Sequence, residues 1–392
     1  MSNEVSATIM RKIIGAICLT VLCGLLVAGL WPFDPFPRND VSWLREGSGL
    51  RFGPHGTIFS THRFELPRSD QKSFCTLEIL LEPARGYVKK SVTILAFHSP
   101  DNPLQFGLMQ DRDELVVIGD YRDERNQLRT GELRIALLGG QREQALFSIS
   151  SGPKGTTAYR NGVFVDSSSG FGLSCKNFSG QLVIGNSPMA YEPWQGKVLG
   201  LAIYNHELSP EVILQHYETW SQNSRLANVQ NNYLLALYTF DERSGRIIHN
   251  SNGSEPNLYI PETFEIPRKR ILAPPWKEFS PDLSYLWDIL INVGGFIPFG
   301  FFFYAYLTWD RKWNRAAVVT ILLGGMISVS IEILQGFIPS RMSGVTDIIT
   351  NTLGTSIGVT FWRWQWVQIL TARLRGSVQL VGTGGADRTT GT

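Results

Sequence analysis

The sequence predicts two unlike parts: four membrane-crossing helices and, between the first and second of them, a large exterior domain built as an all-β sandwich. Three observations carry this. Uncharged apolar stretches occur once near the N-terminus and three times near the C-terminus. The residues between them form short β-rich runs broken by turn residues, and Lys and Arg gather on one side of the apolar stretches.

Ile13 to Trp31 carries no charge and follows Arg11 and Lys12, and a helix of that length crosses the ~30 Å hydrocarbon layer. It reads as a retained span. The rival reading is a cleaved signal peptide, with Val27-Ala28-Gly29 as a small-residue cleavage site, although the stretch exceeds the usual apolar core of ~7 to 15 residues. Three further spans are expected at about Asp288 to Trp309, Ala316 to Ile338 and Val345 to Trp362. Trp287, Trp309, Trp313, Trp362, Trp364 and Trp366 lie at their edges, where an indole sits well in the headgroup layer.

Arg11 and Lys12 precede the first span, Arg311, Lys312 and Arg315 separate the second and third, and Arg363, Arg373 and Arg375 follow the fourth. With four spans these segments share one side, and the excess of basic residues makes that side the cytoplasm. Pro32 to Leu286 is then exterior. The expected division is 1–32, cytoplasmic N-terminus and first helix; 40–225, β-sandwich; 226–283, a strand remnant and Pro-rich juxtamembrane linker; 284–370, three membrane helices; and 371–392, a disordered cytoplasmic tail. A net charge of +2 over 392 residues, without basic runs interleaved with aromatics, argues against a nucleic-acid partner. Of the four cysteines, Cys18 and Cys23 fall in the first span as small apolar residues, and Cys75 and Cys175 are the candidate disulfide pair in the exterior domain.

In that domain, Ala158-Tyr159-Arg160, Asn161-Gly162 and Val163-Phe164-Val165 form the clearest hairpin, the Asn-Gly pair suiting a type I′ turn. This hairpin, Trp194-Gln195-Gly196-Lys197-Val198, and Leu201-Ala202-Ile203-Tyr204-Asn205 leading into Leu208-Ser209-Pro210-Glu211-Val212 resemble the laminin-G or concanavalin-A-like jelly roll over about Leu50 to Trp220. The resemblance implies a binding module, often for glycans and often with calcium. Tyr191 and Trp194 are then candidates to stack on a sugar ring, and Asp111, Asp113 and Asp120 to supply oxygen ligands to Ca²⁺. The plainer alternative makes Trp194 a core residue and leaves the aspartates to solvate turns. Tyr238 to Gly245 is similar to the opening strand of the same family, as a completing strand or the remnant of a second copy.

Ionisable groups cost about 2.5 to 3.5 kcal/mol at the centre of a membrane helix, so those in the last three spans call for a reason. Asp288 and Asn292 lie one turn apart, Glu332 and Gln335 are spaced i,i+3, Asp347 and Asn351 are spaced i,i+4, and Arg341 sits in the loop between the last two spans. On the topology above, all seven fall toward the exterior leaflet as one polar cluster. Gly294, Gly295, Gly300, Gly324, Gly325, Gly354 and Gly358 provide close-contact faces, the last two in GxxxG spacing, and Pro298 is expected to kink its helix.

Asn292 to Gly300, Glu332-Ile333-Leu334-Gln335, and Arg341 followed by Asp347 to Gly354 resemble the VanZ-like family, which is associated with teicoplanin resistance and has four membrane helices. The chain departs from the compact family pattern by some 250 residues between helices one and two. The spans, their basic flanks and the polar cluster are read as a multi-pass protein of the bacterial cytoplasmic membrane with lipid partners, while the resemblance leaves the molecular activity undefined. Three functional readings follow. In the first, the sandwich binds a cell-surface glycan or envelope protein and the polar cluster binds a lipid headgroup or lipid-linked precursor, with a link to glycopeptide tolerance. In the second, an intramembrane enzyme uses Glu332 or Asp347 as base. In the third, the cluster is only a joint between helices.

Overall fold

The computed structural model describes residues 2–65, 74–83, 90–122, 125, 127–137, 144–223, 233–309, 313–364 and 368. Arg311, Lys312, Trp366, Arg373, Arg375 and the expected tail 371–392 lie outside the described residues. The chain forms two compact units, residues 1–35 with 270–392 and residues 36–269.

The larger unit is a sandwich of two eight-stranded antiparallel sheets. The first sheet contains β1 (Val41–Trp43), β2 (Leu50–Phe52), β4 (Thr76–Pro83), β9 (Ala145–Gly152), β10 (Gly155–Arg160), β11 (Val163–Ser168), β13 (Gly196–Tyr204) and β14 (Leu234–Tyr238). Its order is β1-β2-β13-β4-β9-β10-β11, with β14 also paired to β13. The second sheet contains β3 (Ile58–Ser60), β5 (Val92–His98), β6 (Phe106–Asp111), β7 (Glu114–Arg122), β8 (Leu128–Ala136), β12 (Gln181–Ile184), β15 (Ile247–Ile248) and β16 (Leu258–Tyr259), ordered β15-β16-β3-β12-β5-β6-β7-β8.

Alternation places Leu77, Ile79 and Leu81 of β4 in the core between the sheets, with Phe97, Phe106, Phe147 and Trp194. The other face of β4 is also buried, because α2 (Pro210–Asn223) covers it. Ile213 and Trp220 pack there against Leu80, Leu146 and Tyr204; with His216 they recur at helical spacing, which gives α2 one inward face. Asn161 and Gly162 have φ of 52° and 78°, so the expected hairpin turn closes β10 onto β11 with Arg160 opposite Val163.

The sandwich runs past the expected boundary at 225. Tyr238 pairs with Leu201 across β13 and β14, while β16 adds to β3 with Leu258 opposite Ser60. Residues 234–259 therefore complete both sheets rather than begin a second copy. Nor is the Pro-rich stretch beyond them a free linker: Phe264 donates its N–H to the Pro37 carbonyl at 2.8 Å, and the Arg268 guanidinium meets the carbonyls of Ser99 and Pro100. Cys75 and Cys175 are joined as a disulfide.

The smaller unit holds α1 (Ser2–Leu30), α3 (Pro275–Glu278), α4 (Leu283–Thr308), α5 (Ala316–Phe337) and α6 (Val345–Arg363). Among the described residues three helices are long and apolar enough to cross a membrane: Thr8–Leu30, Leu283–Thr308 and Ala316–Phe337. The fourth expected span is α6, a 19-residue helix rich in Thr, Ser, Asn and Gly and less apolar than the others. Helix α4 continues through Pro298 as one element. Gly354 and Gly358 let α6 touch the α4 backbone: a Cβ at either would collide with the carbonyl oxygen of Val293 or Ile297.

Candidate functional site

The helical unit gathers the predicted polar residues at one end of its helices, where Glu332, Gln335 and Arg341 serve helix termini. Two orphan sets exist there, the first N–H groups of α6 and the last C=O groups of α1. Gly344, the N-cap of α6, brings no capping side chain. Glu332 of α5 supplies the acceptor instead, its carboxylate taking the Gly344 N–H at 2.8 Å, and Glu278 of α3 takes the Thr346 N–H at 3.1 Å. Two carboxylates also suit the positive end of a helix dipole. A Cβ at Gly344 would meet the Glu278 carboxylate and oblige that side chain to move.

The α1 terminus is held by the opposite charge. Arg341 donates to the carbonyls of Trp31 at 2.8 Å and Ala28 at 2.9 Å, and Gln335 donates to Gly29 at 2.8 Å. Asn292 of α4 donates to Asp347 of α6 at 2.7 Å, and Asn351 donates to Ser328 of α5 at 2.9 Å. Glu332 is only 2% exposed. Asp288 is exposed and Asn292 and Asp347 are partly exposed, so these three form the open edge of the cluster. Sequence reasoning missed Glu278 and Ser328. The first sits in a Pro-rich stretch that reads as linker, and the second is a single hydroxyl in an apolar helix.

Just before α4, Asp282 accepts the Tyr285 N–H at 2.9 Å and the Ser280 and Ser284 hydroxyls. The Ser280 hydroxyl first, and then these other donors, hold its carboxyl down to about 2.

The candidate residues of the sandwich are scattered. Trp194 is fully buried, packs on Phe52 with ring centroids 5.9 Å apart and donates its indole N–H to Gln110 at 3.0 Å. It is a core residue and presents no face to a sugar. Tyr191 is partly exposed, its hydroxyl between Pro54 and His55. Asp111 and Asp113 flank the β6–β7 turn, with Asp111 close to Arg134 at 3.4 Å. Asp120 lies toward the other end of β7, accepting from Asn102 and Thr130. The three aspartates are therefore not brought together, and among the described residues no group of three or more His, Cys, Asp or Glu could hold a metal.

A different feature emerges on the second sheet, a groove of about 560 Å³ beside β3, β12 and β16. Phe59 and Tyr259 give it aromatic surface; Ser60, Thr61 and Gln181 give hydroxyl and amide groups; Glu262 and Glu265 give carboxylates. Its mixture of ring faces and planar polar groups is the kind that orients a polyhydroxylated ligand. Half of this wall comes from residues 259–265, outside the stretch that reads as a jelly roll in sequence.

Fold and sites together define a membrane protein that combines apolar helices joined through their termini with a lectin-like β-sandwich. Residues 218–368 match the VanZ/LLP1 family and residues 70–214 match the concanavalin A-like lectin/glucanases superfamily, the composition expected from the sequence. No curated protein matches the chain. Among solved structures it is similar to one described as a candidate carbohydrate binding protein from Bacteroides ovatus ATCC 8483, at 16% identity and TM-score 0.36, covering 56% of this chain and 61% of that one. It is also similar to the binding domain of Botulinum Neurotoxin DC in complex with SialylT, at 13% identity and TM-score 0.35, covering 46% and 45%. The chain thus spans less than two thirds of either structure.

Proposed function

We propose that this is a saccharide-binding protein of the bacterial cytoplasmic membrane, multi-pass through α1, α4, α5 and α6, with residues 36–269 on the exterior face. The observation that carries the reading is the groove beside β3, β12 and β16, within a domain that matches a lectin superfamily. Its lining holds two carboxylates and no Lys or Arg among the described residues. Glu262 is paired with Arg246 at 2.6 Å, which leaves Glu265 to favour a neutral or amino-bearing glycan over a phosphorylated or sialylated one.

In the helical unit, the open edge formed by Asp288, Asn292 and Asp347 suits the hydroxyl or ammonium end of a lipid headgroup or lipid-linked precursor. Arg341 is engaged on α1, so the headgroup contact falls to this open edge. Altered glycopeptide tolerance is the cellular effect by which such a headgroup site would show. The capping role of Glu332 weighs against its use as a catalytic base.

The test is calorimetric titration of the full chain in detergent with neutral, amino-bearing and anionic oligosaccharides, with and without Ca²⁺. Saturable binding of a neutral or amino-bearing saccharide, weakened at least tenfold by Tyr259→Ala, is expected. Binding that ignores Tyr259→Ala, or that selects anionic saccharides, would sink the groove as the site, and a strict Ca²⁺ requirement would return attention to Asp111 and Asp113.

A further inference from the structure

At the opposite end of the helical unit from the polar cluster lies a second feature, independent of the glycan reading. Between α1, α4 and α5 runs a trough of about 860 Å³, within the range of ~300 to 1,000 Å³ usual for a site that holds a small ligand. Its composition is graded. Leu22, Phe299 and Phe303 line the apolar part, with Phe299 stacked on Phe303 at 5.4 Å between centroids, and Arg11 and Lys12 line the other end. No carboxylate is among the described residues that line it.

The structure holds the cationic end in place. The Arg11 guanidinium lies 5.0 Å from the centre of the Tyr306 ring near the end of α4, a separation at which the ring quadrupole attracts a cation. Gly15, one turn along α1, makes room for that ring: a Cβ there would stand 3.3 Å from Tyr306. Arg11 is thereby positioned beside Lys12 at the mouth rather than swinging free.

We infer that this trough seats one anionic membrane phospholipid, an acyl chain lying along Leu22, Phe299 and Phe303 and the phosphate meeting Arg11 and Lys12. Charge complementarity selects the occupant: two cations at one end of an apolar channel match a phosphate at one end of a hydrocarbon chain. A soluble anion would leave the apolar part unfilled, and a zwitterionic lipid would bring a like charge to the cations. The trough opens along helices of membrane-crossing length, so lipid is what borders it in a bilayer. On the orientation proposed above this is the cytoplasmic leaflet, where anionic lipids draw basic residues by about 1 kcal/mol each.

Native mass spectrometry of the full chain in detergent reads this directly, by adding phosphatidylglycerol or phosphatidylcholine of identical acyl chains. The wild type is expected to retain phosphatidylglycerol in preference. Replacing both Arg11→Gln and Lys12→Gln should weaken that retention tenfold or more, since two such contacts amount to about 2 kcal/mol, and leave phosphatidylcholine unchanged. Leu22→Trp, which fills the trough and keeps both charges, should lower phosphatidylglycerol retention as well. Because Arg11 also touches Tyr306, Lys12→Gln alone serves as the milder variant, with about a fivefold loss expected. Equal retention of the two lipids by the wild type, undiminished phosphatidylglycerol binding by either charge variant, or displacement of the lipid by excess inorganic phosphate would overturn the assignment.

Discussion

The two units bury carboxylates by opposite means. In the sandwich Glu78 is completely buried and is met entirely by side chains: Ser148 at 2.9 Å, Tyr204 at 3.1 Å and His216 of α2 at 2.8 Å. In the helical unit Glu332 and Glu278 are met by backbone N–H groups of α6. The sheet has already committed its backbone donors to neighbouring strands, so a carboxylate on it needs side-chain partners. A helix terminus leaves amides unused, and a carboxylate from another helix can take them. The sandwich can rely on an apolar core to hold α2 down, whereas helices in lipid gain little from apolar contact and depend on close backbones and polar ties.

The largest effect should come from the sandwich core. Trp194→Ala removes one of the two tryptophans that are the largest fully buried side chains among the described residues and strands Gln110, so a loss of about 3–5 kcal/mol is expected for residues 36–269. Hydrogen exchange on the full chain would show it as lost protection in the strands while α4 and α5 keep theirs; an unchanged sandwich would contradict the placement of Trp194. A paired experiment then sharpens the contrast between the carboxylates. Glu78→Ala leaves three buried partners without an acceptor and should cost about 3 kcal/mol, read as faster exchange in α2. Glu332→Ala leaves one backbone N–H bare and should cost about 1–2 kcal/mol, read as fraying confined to the first turn of α6. Similar losses spread over both units would break the comparison.

The last effect is a pH dependence in the sandwich. Burial first, then the charges of Arg268 and Arg63, push His98 down to about 4 from its ordinary 6.5. The unfolded chain therefore takes up a proton that the folded one refuses. This contribution is fully present above pH 6.5 and is lost as the pH falls toward 4. The thermal stability of residues 36–269 should fall as the pH drops across that interval, and His98→Asn should flatten the decline; an unaltered profile would remove His98 as its source.

What could be read from sequence follows the range of each interaction. Helices α1, α4 and α5 declare themselves by continuous apolar composition, and the β10–β11 hairpin by two adjacent turn residues, because both signals are local. The pairing of polar residues on α5 and α6 was visible through helical spacing, but their partners were not. Arg341 finds carbonyls 310 and 313 positions away, and nothing in its neighbourhood announces them. Strands β15 and β16 are two residues long, too short for alternation to register, and Trp194 stands in a loop-like sequence that admits both a core and a sugar-stacking role until its burial is seen. The groove draws one wall from the jelly-roll strands and the other from residues 259–265, so it exists only once the chain has returned across the second sheet.

The bonds from Arg341 and Gln335 to Ala28, Gly29 and Trp31 also bear on how the N-terminal helix is completed. Val27-Ala28-Gly29 is wound into the last turn of α1 and fastened by side chains more than 300 positions further along the chain. The end of the first helix is thus finished last: its open carbonyls find these donors only when the C-terminal helices have folded beside it.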